Sequence, residues 1–488
     1  MKRIALILTS SEMIRSYLET KVFENFPKDW DLFLYTPKDL ISKTELPLCF
    51  SKFQEFESIT HSRLTFLFFD VLRWRNKEKS ISFKSRNDRL YPHLRFFLKR
   101  YRETGIVSVQ LDKGQSSLTD LNAPLQKNYF FAKRCMAIGR SFLQIFARRT
   151  ILAIFSRDIF YALLEVAINL RRIRHPRLYQ QLKSDKPDLI LYPTSGFETL
   201  SMELVFIGQN LNSKSMFLFD NWDNLSSKTV MYALPDFIGT WGQQSSNHAL
   251  QISGFPKSRI FEIGAARFTN YMEENKSVKF SLPERYLLFA GSFLNFDEYK
   301  ALRIIDNFLM RLESHHDLYV IYRPHPEGVH KNSFQTQNFQ RVLMDPQFSE
   351  LLAKGLLKTS GNLGRFSLDY YPYLISNAEF VVGGLTSLLI EATLFQKLYI
   401  TLEHDEPYNL SNPAKLRRNY THFKEIGRLP NLISCKDLQD LPRILFDLLN
   451  GKEIVKRGDC LKELDFFVRS DVAEYSNRLK RSIEDVIN

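Results

Sequence analysis

Residues 379–402 combine chemical side chains at a spacing that a nucleotide phosphate would use. The β-branched run Phe380-Val381-Val382 ends in Gly383-Gly384, and an apolar-periodic segment, Thr386 to Phe395, follows before a second apolar run, Leu398 to Leu402. The pattern predicts strand, glycine turn, helix and strand. Glycines at a strand end, Gly384 above all, let the backbone approach a ligand closely. A helix start offers unpaired N–H groups and a positive dipole end. Thr386 and Ser387 would add hydroxyl donors in the first turn, and Glu391, about one turn further on, faces the same crevice. Phosphate beside sugar hydroxyls suits this set. A structural alternative stands beside it, in which Thr386 caps the helix and Glu391 is a solvated helix residue.

Three further constellations fall at predicted strand ends. Leu318 to Tyr322 runs into Arg323-Pro324-His325-Pro326, where flanking prolines restrict the histidine's backbone and Arg323 can fork onto phosphate. Arg285 to Ala290 ends in Gly291-Ser292. In the first half, Asp188 to Tyr192 leads to a loop with Ser195 and then a helix from Glu198, while Ser215 to Phe219 leads to Asp220-Asn221-Trp222-Asp223-Asn224, with Lys228 close behind. Ligands of open α/β sheets sit at the carboxyl ends of strands, so Ser195, Asp220, Asn221, Trp222 and Lys228 are candidates for an acceptor side. The same Asp and Asn residues could instead only build turns.

These loops need a scaffold of alternating strands and helices. At 488 residues, with 44% hydrophobic and 25% charged content, the chain is expected to fold as two or three domains. An α/β domain opens at Lys2 to Thr9, with a helix around Met13 to Phe23 and a strand at Trp30 to Tyr35. The α/β rhythm resumes near Asp188 and restarts at Arg285. We place the first domain at 1–275, with an Arg-, Lys- and Phe-rich helical insertion at about 61–181, and the second at 281–488, ending in a helical tail. The charged stretch from Tyr271 to Phe280 is the expected linker. The insertion's basic rim could meet an anionic membrane or only be solvated.

The net charge of +13 favours an anionic partner. Nucleic acid is not expected, because no RRM, KH, helix-turn-helix or zinc-finger pattern accompanies the charge. Cys49, Cys135, Cys435 and Cys460 lack CxxC spacing, so neither disulfides nor a zinc site is expected and a reducing compartment is. The apolar run Ile4 to Leu8 is too short for a signal peptide and is expected to be a strand. No uncharged segment reaches the roughly 20 residues that span a bilayer.

Two Rossmann-like halves joined near residue 280 resemble the GT-B glycosyltransferase architecture, two domains facing a cleft. RPHP followed by GGLTSLLIEATLF is similar to the HP and Ser/Thr-Ser motifs of bacterial surface-polysaccharide enzymes, namely sialyltransferases, Kdo transferases and CDP-glycerol glycerophosphotransferases. LFDNWDNLSSK, DFIGTWGQ and RIFEIGAARF look like a group of proteins assigned to surface-carbohydrate biosynthesis. The resemblance covers roughly Asp188 to Leu402 and implies that His325, Thr386 and Ser387 contact the donor's phosphate and Glu391 its ribose. Gly291, Ser292, Arg323, Pro326 and Gly384 complete the expected nucleotide site. It implies a glycosyltransferase for capsule or lipopolysaccharide synthesis, taking a CMP- or UDP-linked sugar to a glycan or lipid-linked glycan at the cytoplasmic membrane's inner face. Asp223, or else Glu198, would be the general base. The acidic-acidic-Gly motif of the sialyltransferases has no match. No metal is expected, and no cofactor, the nucleotide-sugar being a substrate. The rivals are polyol-phosphate transfer from a CDP-glycerol-type donor, a UDP-sugar 2-epimerase, and a non-catalytic membrane-docking subunit.

Overall fold

The computed structural model describes residues 2–38, 40, 48–57, 63–83, 143, 146–170, 173–196, 198–228, 230–272, 280–292, 296–325, 338–356, 369–406, 412–452 and 459–488. Their strands form two parallel sheets. The first contains β1 (Arg3–Ile7), β2 (Asp31–Pro37), β3 (Lys52–Phe56), β4 (Leu189–Thr194), β5 (Lys214–Phe219), β6 (Phe237–Thr240) and β7 (Ile260–Glu262), in the order β3-β2-β1-β4-β5-β6-β7. The second contains β8 (Arg285–Ala290), β9 (Leu318–Arg323), β10 (Val342–Met344), β11 (Val381–Gly383), β12 (Tyr399–Leu402) and β13 (Leu432–Cys435), in the order β10-β9-β8-β11-β12-β13. Ile4 to Ile7 and all of β4 are buried, as strands covered on both faces require.

Both sheets are doubly wound. The chain starts in the middle, walks to one edge, and returns to build the other half. The order therefore reverses between β1 and β4 in the first sheet and between β8 and β11 in the second. At such a switch point the loops leave in opposite directions and a crevice opens at the strands' carboxyl ends. The two Rossmann-like domains expected from the sequence are present. Sequence reading missed β3, β10 and β13, which are edge strands of only five, three and four residues. β13 also corrects the all-helical reading of the tail.

The chain's end does not stay with the second domain. Tyr475, Leu479, Ile483 and Val486, on the helix Tyr475–Ile487, share a core with Ile4, Leu6, Met13 and Tyr17 of the first domain. Phe466 and Phe467 pack in one cluster with Trp222 and Trp241, and the Arg469 amide donates to the Trp241 carbonyl at 2.9 Å. This crossing ties the domains together at a point that the sequence boundary of 281–488 did not anticipate. Tyr271, at the start of the expected linker, is buried, and residues 273–279 lie outside the described residues.

In the insertion, the helices Arg63–Arg75 and Asp158–Asn169 are described, as is helical chain at 146–155. Phe68, Val71, Leu152, Leu164 and Ile168 seat this layer on Met202, Val230 and Ile252 of the first domain. Residues 84–142 lie outside the described residues. Among the described residues no helix is long and apolar enough to cross a membrane.

The crossing helix gives a direct test of the packing. Leu479→Ala should lower the unfolding free energy by about 2–5 kcal/mol in urea titration, the range for emptying a fully buried leucine site. A change within experimental error would mean that the helix is not docked.

Candidate functional site

The carboxyl ends of the two sheets face each other across a cavity of about 470 Å³. Two glycines allow the second sheet's strand ends to close up behind it. A Cβ at Gly291 would stand 2.8 Å from the Arg323 carbonyl and 2.9 Å from the His325 amide, and one at Gly383 would stand 2.7 Å from the Ala290 carbonyl. No side chain fits there, so the backbones of β8, β9 and β11 meet directly. Their trailing residues Gly291, Arg323, His325, Thr386, Ser387 and Glu391 line the cavity.

The first domain supplies the opposite wall with Glu12, Arg15, Asp220, Asn221, Lys228, Arg267 and Tyr271. Arg15, Lys228, Arg267 and Arg323 thus bring positive charge to a cleft between two sheets, with Glu12, Asp220 and Glu391 as the acidic counterweight. Glu391 is held across the domain junction: the Tyr271 hydroxyl donates to one oxygen at 2.8 Å, and Arg267 stands 3.5 Å from the other. Arg15 is buried, and this lowers its pKa. The helix behind Thr386 begins later than expected, running Leu388–Leu394 with Ser387 as its N-cap.

Two second-domain groups have surroundings that the sequence did not show. Arg323 is buried and ion-paired to Asp345 at 2.6 Å, with its guanidinium 3.9 Å from the centre of the Tyr371 ring. That ion pair braces the end of β9 at the cavity wall. Burial first, and the Arg323 charge second, push the His325 pKa down to about 4, so its imidazole is neutral at pH 7 and can donate one N–H.

On the first-domain side the structure separates three carboxylates. Asp220, at the end of β5, lines both the cleft and an adjoining cavity of about 380 Å³ that is also bordered by Thr9, Ser10, Ser195 and Glu198. Burial, and then the nearby Glu198 charge, raise its pKa to about 7, against the pull of Lys228 and of the Asn224 amide. Asp223, the expected base, is not among the cleft-lining residues. Its own burial would raise its pKa, but Lys228, His422 and the Ser227 hydroxyl together bring it to about 2, too weak a base at neutral pH. Glu198 accepts from the Thr194 hydroxyl at 2.5 Å, the Ser195 amide at 3.2 Å, the Gly196 amide at 3.0 Å and the Ser195 hydroxyl. It fixes the loop after β4, leaving Asp220 as the carboxyl best tuned for proton transfer.

Other expected residues lie behind the site. Trp222 is buried among His422, Phe423 and Phe467, where it joins the chain's end to the first domain. Ser292 gives its amide to Glu298 at 2.5 Å, and a Cβ at Gly384 would meet the Ser292 hydroxyl at 3.0 Å. Gly384 thus permits close loop packing. Pro326 falls outside the described residues. Sequence reading missed Glu12, Arg15, Arg267 and Tyr271. Arg15 and Glu12 carried a usable signal, because they come directly after the first strand, where a doubly wound sheet opens its crevice. Arg267 and Tyr271 are brought to the site only by the way the domains meet.

No protein-family model matches the sequence, and no curated protein does. Solved structures do. A protein of Listeria monocytogenes assigned as a UDP-N-acetylglucosamine 2-epimerase superposes with a TM-score of 0.51 at 10% identity, covering 99% of this chain and 96% of that one. A UDP-GlcNAc 2-epimerase of Neisseria meningitidis, bound to UDP-GlcNAc, gives 0.48 at 10% identity over 99% and 100% of the two chains. The lipopolysaccharide outer core galactosyltransferase WaaB gives 0.42 at 11% identity over 99% of each. The fold is the GT-B arrangement of two facing Rossmann-like domains.

Asp220 makes the site's charge measurable. An acid whose pKa is raised on folding stabilises the protein below its unfolded value, near 3.8, and that contribution is lost as pH rises through about 7. Asp220→Asn should therefore raise the melting temperature at pH 8, with the gain shrinking toward pH 5. An equal shift at both pH values would show that the carboxyl titrates normally.

Proposed function

We propose that this chain is a glycosyltransferase that takes a CMP- or UDP-linked sugar and passes it to a hydroxyl of a glycan or lipid-linked glycan in cell-surface polysaccharide synthesis, working at the inner face of the cytoplasmic membrane. The observation that carries this reading is Asp220, a carboxyl with a pKa near 7 standing where two cavities join. One cavity lies between the sheets and suits the nucleotide; the other lies within the first domain and suits the acceptor.

In this mechanism the donor's phosphates lie against Thr386, Ser387 and the neutral His325, with Glu391 near the ribose. The acceptor hydroxyl enters beside Ser195 and gives its proton to Asp220 as its oxygen bonds to the sugar's anomeric carbon. The bond from that carbon to the phosphate oxygen breaks, and its electron pair leaves with the nucleotide. Arg15, Lys228 and Arg267 offset the charge that develops there, and fixed cations need no reorganisation during the step. The nucleotide-sugar is substrate, and the reading invokes no resident metal or cofactor.

One feature favours a second reading. Glu198 and Asp220 are close enough for one charge to raise the other's pKa, and a 2-epimerase needs more than one proton-transfer group around the sugar. Incubating the protein with UDP-GlcNAc in D₂O without acceptor separates the two: deuterium at the sugar's C2 would identify the epimerase.

Asp220→Asn should cut transfer by about 10²- to 10⁴-fold, the usual worth of a general base, while nucleotide binding persists. For the wild type, kcat/KM should rise with pH through a pKa of about 7. Full activity in Asp220→Asn would remove Asp220 as the base.

A further inference from the structure

The helical layer on the first domain keeps an apolar stripe turned outward. Along Asp158–Asn169 and its cap, Ile159, Leu163, Val166 and Leu170 recur at spacings of four, three and four residues and are 69%, 63%, 56% and 80% exposed. That helix already buries its opposite side through Leu164 and Ile168, so the stripe is a second apolar face beyond what its packing uses. Phe146, Ile151 and Ile154 on the neighbouring helical segment are exposed as well. A contiguous apolar surface of this kind marks an interaction site.

Charge says what kind. Of the chain's 67 Lys and Arg and 54 Asp and Glu, residues 61–181 hold 24 and 8, an excess larger than the +13 of the whole protein. Arg157 is exposed next to the stripe, as is Arg148, which also pairs with Asp70 at 2.8 Å, and the exposed Asp158 is paired with Arg75 at 3.0 Å. Nucleic acid would answer the arginines and leave the stripe wet. A bilayer with anionic headgroups answers both, since acyl chains take the apolar stripe and phosphates take the cations.

We propose that this face is an interfacial anchor that seats the protein on an anionic lipid surface. The layer carrying the anchor is tied to the acceptor side of the cleft, where the Ser80 hydroxyl donates to the Ser226 carbonyl at 2.5 Å in the segment Asn224–Ser227 that precedes Lys228, and to the second domain, where the Thr421 amide donates to the Ser82 hydroxyl at 2.8 Å. Seating the anchor would turn that side toward the bilayer. Only this orientation depends on the transferase reading; lipid binding does not.

The test is co-sedimentation of the full chain with phosphatidylcholine vesicles, with and without phosphatidylglycerol. Binding should require phosphatidylglycerol, weaken with salt, drop at least tenfold in Leu163→Glu/Val166→Glu, and drop about fivefold in Arg157→Gln, the worth of one cation at an anionic surface. Nucleotide titration should be unchanged in these variants, which keeps a folding defect, or a failure of the transferase reading, distinguishable from loss of the anchor. Equal binding to both vesicle types would overturn the anionic surface. Absence of vesicle binding would overturn the anchor, and sedimentation velocity would then tell whether a second copy, separated by Leu163→Glu, or residues 84–142 of the same chain cover the face.

Discussion

Glu391 is a carboxylate buried where two domains meet, and a buried charge is tolerated only when it is paired and hydrogen-bonded. Its partners, Tyr271 and Arg267, come from the other domain. This contact sets how closely the sheets approach and puts the first domain's cations above the second domain's strand ends. Removing Arg267 would leave the buried Glu391 charge with only the Tyr271 hydroxyl, so contacts between the domains and the charge of the site share the same atoms.

A second restraint runs through the end of the chain. Phe466 and Phe467 pack in one cluster with Trp222 and Trp241, and the last helix fills the core beneath β1. The cleft is therefore bounded by two crossings, one near Tyr271 and one near Phe467. Trp222 belongs to that second crossing. Its place after a strand end made it an acceptor-side candidate in the sequence, but a ring of that size buried between two domains contributes as packing.

Strand ends were legible because parallel strands buried on both faces read as continuous apolar runs, and the loop residues after each run are polar by necessity. That rule located Asp220, Lys228, His325, Thr386, Ser387 and Glu391, all of which the fold brings to one cleft. It could not separate Asp220 from Asp223, three residues apart, because their opposite pKa shifts depend on where Glu198, Lys228 and His422 fall around them in the fold. Nor could it tell that Arg323 is spent on Asp345, a partner 22 residues away on the next strand's exit. Edge strands were lost because they are half-covered and short: Phe53 and Phe56 are the apolar residues of β3, and the apolar run of β10 is three residues long.

The central claim is that the facing strand ends form a nucleotide site. Isothermal titration with UDP, CDP and CMP tests it most directly, using the wild type together with His325→Ala and Glu391→Gln. The account predicts that at least one nucleotide binds, and that each substitution weakens it by about tenfold or more through loss of a hydrogen bond to a charged or buried partner. No binding by any of the three, or binding indifferent to both substitutions, would contradict it.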